Sequence, residues 1–196
     1  MLPPGADHFR KAIEELTPLS DEQFAEVLAR FELRRFSKKE CLWSSGDVCR
    51  MIGFVTKGCL RYFFTDNKGE ERIMYFATEG WWIADLNSLY SGKPSLYTLQ
   101  ALEDCELLLS TGEKFEEACS AVPPFGEFYG KKTRRSYSAS VQRFADMQSE
   151  SAEEKYLKLL KNYPQILQRV PQHYIASYLG IKPQSLSRIR KQVKGK

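Results

Sequence analysis

The sequence has no apolar run approaching the roughly 18 residues that a membrane span requires. Its opening, MLPPGADHFRKAIEEL, lacks a basic start followed by an apolar stretch, so no secretory signal is expected. The early acids Asp7, Glu14 and Glu15 argue against a transit peptide, and the expected compartment is the cytoplasm. Histidine occurs only as His8 and His173, and neither lies near a cysteine. Cys41, Cys49, Cys59, Cys105 and Cys119 are odd in number, widely spaced and free of any C-x-x-C pair. Metal sites of zinc or iron–sulfur type therefore have no signature, and buried free thiols are the expectation. A redox-sensing pair brought together by the fold stays open. There is no nucleophile motif, paired histidine or glycine-rich phosphate loop, so an enzyme is not expected, although Glu79 and Asp85 supply carboxylates. Internal repeats and low-complexity linkers are also missing.

What the sequence does contain is 196 residues that are 42% hydrophobic, enough for one large or two small domains around a packed core. Its net charge of +4 is unevenly spread. Residues 1–122 hold 14 Lys/Arg against 20 Asp/Glu, whereas residues 123–196 hold 15 against 5. The last acid is Glu154, and from Tyr163 onward seven Lys/Arg stand unopposed. A charge run is ordinarily a solvated face. A whole segment without one carboxylate reads instead as a surface for a polyanion.

Three regions follow one another. In residues 6–30, Phe9, Ile13 and Leu16 recur at helical spacing. Ser20 with Gln23 forms a capping-box pattern ahead of the stripe Phe24, Val27, Leu28 and Phe31. Residues 32–112 change to short segments rich in β-branched and aromatic residues, such as LRRFSKKECLW and MIGFVTKGCLRYFFT. The polar tip TDNKGEE, with Gly69, reads as a hairpin turn, and the whole region as an antiparallel sandwich or roll. The third region is helical again. Pro123-Pro124 separates a short amphipathic helix from a long one over about 125–148. The apolar positions of the long helix are Phe125, Phe128 or Tyr129, Tyr137, Val141, Phe144 and Met147. It suits a connector that buries one stripe against a partner helix. Ser149 or Ser151 then caps a helix that stops at Pro164.

The segment VPQHYIASYLGIKPQSLSRIRKQ carries the functional signal. Pro171 opens one helix, Gly180 permits the left-handed turn that ends it, and Pro183 opens the next. Ile175, Ala176, Leu179, Leu186 and Ile189 face inward, with small Ala176 allowing a close crossing. This is helix-turn-helix grammar, although an ordinary helical hairpin shares the spacing. On the second helix, Gln184, Ser185 and Arg188 are the expected base readers, Arg188 suiting guanine and Gln184 adenine. His173, Lys182, Ser187 and Lys191 are the expected phosphate contacts, a role that Ser185 also suits. Lys182 stands where a Ser or Thr cap is common, a loss of about 1 kcal/mol.

This order of parts, and IASYLGIKPQSLSRIRK in particular, resembles the Crp/Fnr family of bacterial transcription regulators. The resemblance covers nearly the whole chain and is strongest over residues 170–191. It implies an α+β fold: N-terminal helices, an antiparallel β-roll like a cyclic-nucleotide-binding domain, a long dimerisation helix and a small C-terminal helix-turn-helix domain. The implied divisions are a sensor-like roll over 1–122, a connecting helix over 123–148 and a DNA-binding domain over 149–196. Implied partners are double-stranded DNA, a second copy of the chain, RNA polymerase and an unknown small-molecule effector. The second reading is a cyclic-nucleotide or small-ligand sensor acting mainly through protein contacts.

The sequence also departs from that family. Cyclic-nucleotide binders carry Gly-Glu and then Arg with a small residue in one loop, where Glu takes the ribose hydroxyl and Arg the phosphate. In WWIADLNSLYSGKPSLYTLQA the matching positions are Ala84-Asp85 and Ser95-Leu96. Ser95 cannot neutralise a phosphate, and Lys93 nearby supplies no fork. Leu96 and Tyr97 are expected to narrow the pocket, whose candidate lining is Trp82, Asp85, Ser95, Leu96 and Tyr97. Tight cyclic-AMP binding is therefore not expected. The remaining aromatics, Tyr75, Trp81 and Tyr90 with Trp82 and Tyr97, are expected mostly in the core. No N-terminal cysteine cluster or free histidine supports an iron–sulfur or haem cofactor. Only QVKGK follows Lys191, so the family's β-wing is expected to be truncated or absent.

Overall fold

Phe9 and Ile13 lie one turn apart on α1 (Ala6–Glu14), and both are fully buried. In α2 (Asp21–Leu28) the expected capping box forms. The Gln23 amide donates to Ser20 Oγ at 3.2 Å, and the Ser20 amide donates to Gln23 Oε1 at 3.0 Å. Each bond satisfies a backbone donor that the helix start leaves orphaned. The computed structural model describes residues 2–194.

The β-rich region folds into two four-stranded antiparallel sheets. Its strands are β1 (Glu32–Phe36), β2 (Cys41–Trp43), β3 (Met51–Lys57), β4 (Leu60–Thr65), β5 (Glu71–Ala77), β6 (Trp82–Ile83), β7 (Thr98–Ala101) and β8 (Cys105–Thr111). One sheet runs β1-β8-β3-β6 and the other β2-β7-β4-β5. Their inner faces close on Val55, Leu60, Leu99, Leu107 and neighbours. The β4–β5 turn forms at the predicted polar tip. There Asp66 Oδ1 accepts from the Lys68 and Glu70 amides at 2.9 and 3.0 Å, and Gly69 takes φ 79°. The short helix α3 (Leu86–Ser91), between β6 and β7, was not foreseen from the sequence.

Helices α4 (Gly112–Ala121) and α5 (Pro123–Ser149) follow the roll. With 27 residues, α5 spans about 40 Å at the usual rise. Its first turns bury Phe125 and Phe128 beside Phe115, Phe54 and the α1–α2 pair. Its second half leaves this core. Tyr137, Val141, Phe144 and Met147 are 72, 52, 67 and 51% exposed.

The remaining helices are α6 (Ala152–Asn162), α7 (Pro164–Arg169), α8 (Gln172–Leu179) and α9 (Pro183–Lys194). Ser151, one of the two predicted caps, closes the start of α6. Tyr156, Leu159, Ile166, Ile175, Leu179 and Leu186 form their common core, which continues into Cys59, Phe63, Ile73 and Phe76 of the roll. Helix α9 takes in Gln192, Val193 and Lys194, and among the described residues no strand follows it. Gly195 and Lys196, the end of the expected wing remnant, lie outside the described residues.

All five cysteines are free thiols, with Cys49, Cys59 and Cys105 buried. Burial pushes the Cys59 thiol up to about 12, Cys105 to about 11 and Cys119 to about 12. Thiols so placed stay neutral near pH 7, and only the thiolate is nucleophilic. Iodoacetamide should therefore modify these three in the native protein at least about a hundredfold more slowly than an ordinary exposed thiol. Mass spectrometry of timed aliquots checks this, and fast labelling of Cys59 and Cys105 would restore the redox-pair reading.

Candidate nucleic-acid interface and the closed roll interior

Spacings of three and four on α9 divide its residues between two faces. Leu186 is fully buried and Ile189 and Val193 are partly buried, all packed in the common core. Gln184, Ser187, Arg188 and Lys191 fall on the opposite face and are exposed, with exposed Ser185 on its flank. Helix α8 ends at Gly180, φ 71°, whose conformation lets the Ile181 amide donate to the Ala176 carbonyl at 3.0 Å. That turn leaves Lys182 exposed between the helices, and His173 is exposed on α8 with its ring 4.0 Å from that of Tyr174. Ala176 is fully buried in the helical core.

Two further groups belong to this surface that sequence reasoning did not single out. Gln172 and Arg190 line a shallow recess of about 180 Å³ together with Ser187 and Lys191. Gln172 is the first residue of α8, so the recess combines a helix start with two cations. Arg190 follows Ser187 by three positions, a spacing that places the two near each other on a helix. No acid lies in sequence from Tyr163 onward, so nothing in this segment opposes the charge.

Helix α8 is docked on the roll. β5 is an edge strand, and Ser177 occupies its free side. Ser177 Oγ donates to the Glu71 carbonyl at 2.8 Å and accepts from the Ile73 amide at 3.2 Å. The Tyr178 ring meets Phe76 at 5.5 Å and carries Arg143 of α5 at 4.4 Å. At the end of α7, Arg169 forms a bidentate pair with Glu79, at 2.8 and 2.9 Å, and also bonds Glu103.

Burial alone would raise the Glu79 pKa, but hydrogen bonds from Arg169 and from the Gly58 amide outweigh it and hold the carboxyl below the usual range. A carboxyl lowered on folding stabilises the native state above its unfolded pKa, and that contribution fades as pH falls through the folded value. Glu79→Gln should therefore melt below the wild type at pH 7, and the gap should close as pH falls below about 4. A gap independent of pH would mean that the clamp works by packing alone.

The roll interior is closed by its own side chains. Asp85 caps α3, with Oδ1 accepting from the Ser88 amide at 3.2 Å and Oδ2 accepting from Ser95 Oγ at 2.6 Å. Asp85 and Ser95 are 5 and 2% exposed. Tyr97 stacks on Tyr62 at 4.7 Å, Tyr62 on Tyr75 at 4.7 Å, and Tyr75 on Trp81 at 6.1 Å. Two expectations are corrected here. Leu96 is 73% exposed and points away from the interior. Trp82 packs instead among Phe9, Phe54 and Phe128, in the core beneath the helices. Of the five expected lining residues, Asp85 and Ser95 are hydrogen-bonded directly, and Tyr97 joins them through its amide, which donates to Ser95 Oγ at 3.0 Å. Tyr90, one of the five aromatics expected mostly in the core, is 58% exposed and donates its hydroxyl to Glu116. Among the described residues no group of three or more His, Cys, Asp or Glu is placed to hold a metal ion.

A closed antiparallel roll, a long helix leaving it, and a basic helix pair docked back on its edge define a two-part architecture. Residues 33–121 match the model of the cyclic nucleotide-binding domain family. Of curated proteins, the cAMP-activated global transcriptional regulator CRP of Salmonella typhimurium is 21% identical over 106 residues, 54% of this chain and 50% of that regulator. The match thus spans about half the length of the curated relative. Of solved structures, the c-di-GMP-responsive global regulator CLP of Xanthomonas campestris is 14% identical, with TM-score 0.71 over 90% of this chain and 92% of that one. FixK2 of Bradyrhizobium japonicum is 17% identical, with TM-score 0.66 over 84% and 85%. The roll is a cyclic-nucleotide-binding-like domain, and the chain as a whole has the Crp/Fnr fold.

Proposed function

We propose that this chain is a DNA-binding transcription regulator of Crp/Fnr type that acts as a homodimer on two-fold-related DNA. The observation that carries this reading is the exposed face of α9, with Gln184, Ser187, Arg188 and Lys191 on it, in a segment without a single acid. In this reading α8, its turn and α9 are the helix-turn-helix. Gln184, Ser185 and Arg188 read bases. His173, Lys182, Ser187 and Lys191 hold phosphates, joined by Gln172 and Arg190 of the recess. The uncovered stripe on α5 pairs with its copy, and RNA polymerase is the protein the bound dimer addresses.

The roll in this reading does not bind cyclic AMP tightly. Ser95 spends its hydroxyl on Asp85 and offers no charge to a phosphate, so the anion has no partner. Titration calorimetry with cyclic AMP and cyclic GMP tests this, and tight binding of either nucleotide would overturn it. Selection of sites from random DNA, followed by a salt titration, tests the main reading. A two-fold consensus is expected, with a log-affinity slope near about −5 for some six neutralised phosphates. Absence of DNA affinity at low salt would instead favour a sensor that works through protein contacts.

Arg188 and Lys191 should separate in such experiments. Arg188→Ala should cost about 1–3 kcal/mol and relax specificity at one base of each half-site. Lys191→Ala should weaken all sequences alike and flatten the salt slope. Uniform weakening by Arg188→Ala would reassign it to phosphate, and an unchanged slope for Lys191→Ala would remove it from the interface.

A further inference from the structure

Lys131, Lys132, Arg134 and Arg135 crowd the middle of α5, and the only acid near them in sequence is Glu127. Lys131 is engaged, at 2.8 Å from Glu127 and 3.1 Å from the Leu16 carbonyl. Among the described residues Arg134 and Arg135 are exposed, and neither has an ion pair or a side-chain hydrogen bond. Four cations within one and a half turns keep the local potential positive.

Arg134 differs from the others in where it stands. Gly130, Arg134, Tyr137, Val141, Phe144 and Gln148 recur at alternating intervals of four and three, which places them along one seam. Phe125 and Phe128, buried against the roll, lie on the other side of the helix. The apolar seam that leaves the roll therefore begins with a guanidinium. That guanidinium folds back over Gly130, its two terminal nitrogens 3.4 and 3.9 Å from where a Cβ there would sit. Glycine is a poor residue for a helix interior and needs a reason to be there. Gly126, one turn earlier, has one, since a Cβ would meet the Cys119 carbonyl at 2.9 Å. Gly130 meets no backbone, only the Arg134 side chain.

The next step rests on the homodimer reading. Two-fold DNA requires both α9 helices at one end of the dimer, so the two α5 helices run parallel and each seam residue faces its own copy. Two Arg134 guanidiniums then converge where two glycines leave a gap. Unscreened, they repel. With an anion between them they form two forks on one ligand, the geometry in which arginine binds phosphate best. We propose that the gap between Gly130 and Arg134 of the two copies binds a small multivalent anion, a phosphate-bearing metabolite, which ties the two α5 helices together.

Sedimentation equilibrium of the full chain tests this, with sodium pyrophosphate as the probe against sodium chloride at matched ionic strength. Millimolar pyrophosphate should tighten the dimer about tenfold or more, because a ligand held only by the dimer stabilises it by mass action. Arg134→Gln should abolish that difference and, in chloride alone, dimerise more tightly than the wild type, since the repulsion is gone. Arg34→Gln, which removes an exposed arginine on strand β1, should keep the full response. A dimer that ignores pyrophosphate, or an Arg134→Gln variant that still responds, overturns the anion site and leaves the homodimer standing. A chain monomeric under every condition overturns both. If Arg134→Gln leaves dimerisation unchanged but weakens DNA binding, the cluster is a nucleic-acid contact and the anion site is wrong.

Discussion

Phe144→Asp should make the protein monomeric and lower its affinity for a two-fold DNA site by about a thousandfold or more, since half the phosphate contacts go with the second copy. Phe144 is 67% exposed, and Tyr137, Val141 and Met147 beside it are exposed too. Exposed apolar residues scattered singly need no explanation, but a stripe along nearly three turns of one helix does. In the dimer reading each copy buries its Phe144 against the other, worth roughly 1.5–3 kcal/mol per side chain. The substitution removes that from both copies and sets two carboxylates opposite each other. The monomer itself loses little, because a surface change that touches no core feature stays within about 0.5 kcal/mol. Affinity for an isolated half-site should therefore survive, while the salt slope on the full site falls to about half its value. Sedimentation and a fluorescence-anisotropy titration on full and half sites check this. Undiminished affinity of Phe144→Asp for the full site would show that α5 is not the pairing surface.

The elements that were legible in the sequence are those whose physics is local. Gly180 and Pro183 fix the α8–α9 turn within four residues, the Ser20–Gln23 box marks a helix start within one turn, and the choice between Ser149 and Ser151 as the α6 cap is settled only by the fold. The face of α9 was legible for the same reason, since spacing alone separates Leu186 from Arg188. What stayed hidden depends on partners distant in sequence. Ser95 was legible as a missing arginine but not as the donor to Asp85, because the two stand ten positions apart with a helix between them. Leu96 was misplaced because alternation breaks in the loop before β7, so neighbouring residues no longer face predictably in and out. Ser177 carried no signal of its own in the sequence, and only the edge position of β5, set by pairing with β4, makes it a strand's partner. Arg190 was overlooked because its recess needs Gln172 from the other helix.

Arg61→Ala should loosen α8 from the roll and destabilise the protein by about 1–3 kcal/mol, the range for losing charge-assisted hydrogen bonds, since the Glu71 carboxylate left behind is open to water. Arg61, on β4, is 4% exposed. Its guanidinium pairs with Glu71 on β5 and donates to Gln100 on β7 at 2.9 Å. It also lies over the Phe63 ring at 3.9 Å and the Tyr174 ring of α8 at 4.2 Å. One planar cation thus joins three strands and faces α8, the first helix of the proposed DNA-binding pair. Arg61→Lys should not rescue it, because an ammonium cannot reach both carboxylate and amide while lying flat on two rings. All three tryptophans lie in the roll, whereas far-UV circular dichroism follows mainly the helices. In the wild type the two signals should unfold together in urea, and in Arg61→Ala the helical signal should be lost first. In the dimer reading the same variant should keep its affinity for a half-site and lose affinity for the two-fold site, because spacing between the two α9 helices would depend on how each is held to its roll. Coincident transitions with an unchanged midpoint would mean that the contacts of Ser177, Tyr178 and Arg169 hold α8 without Arg61.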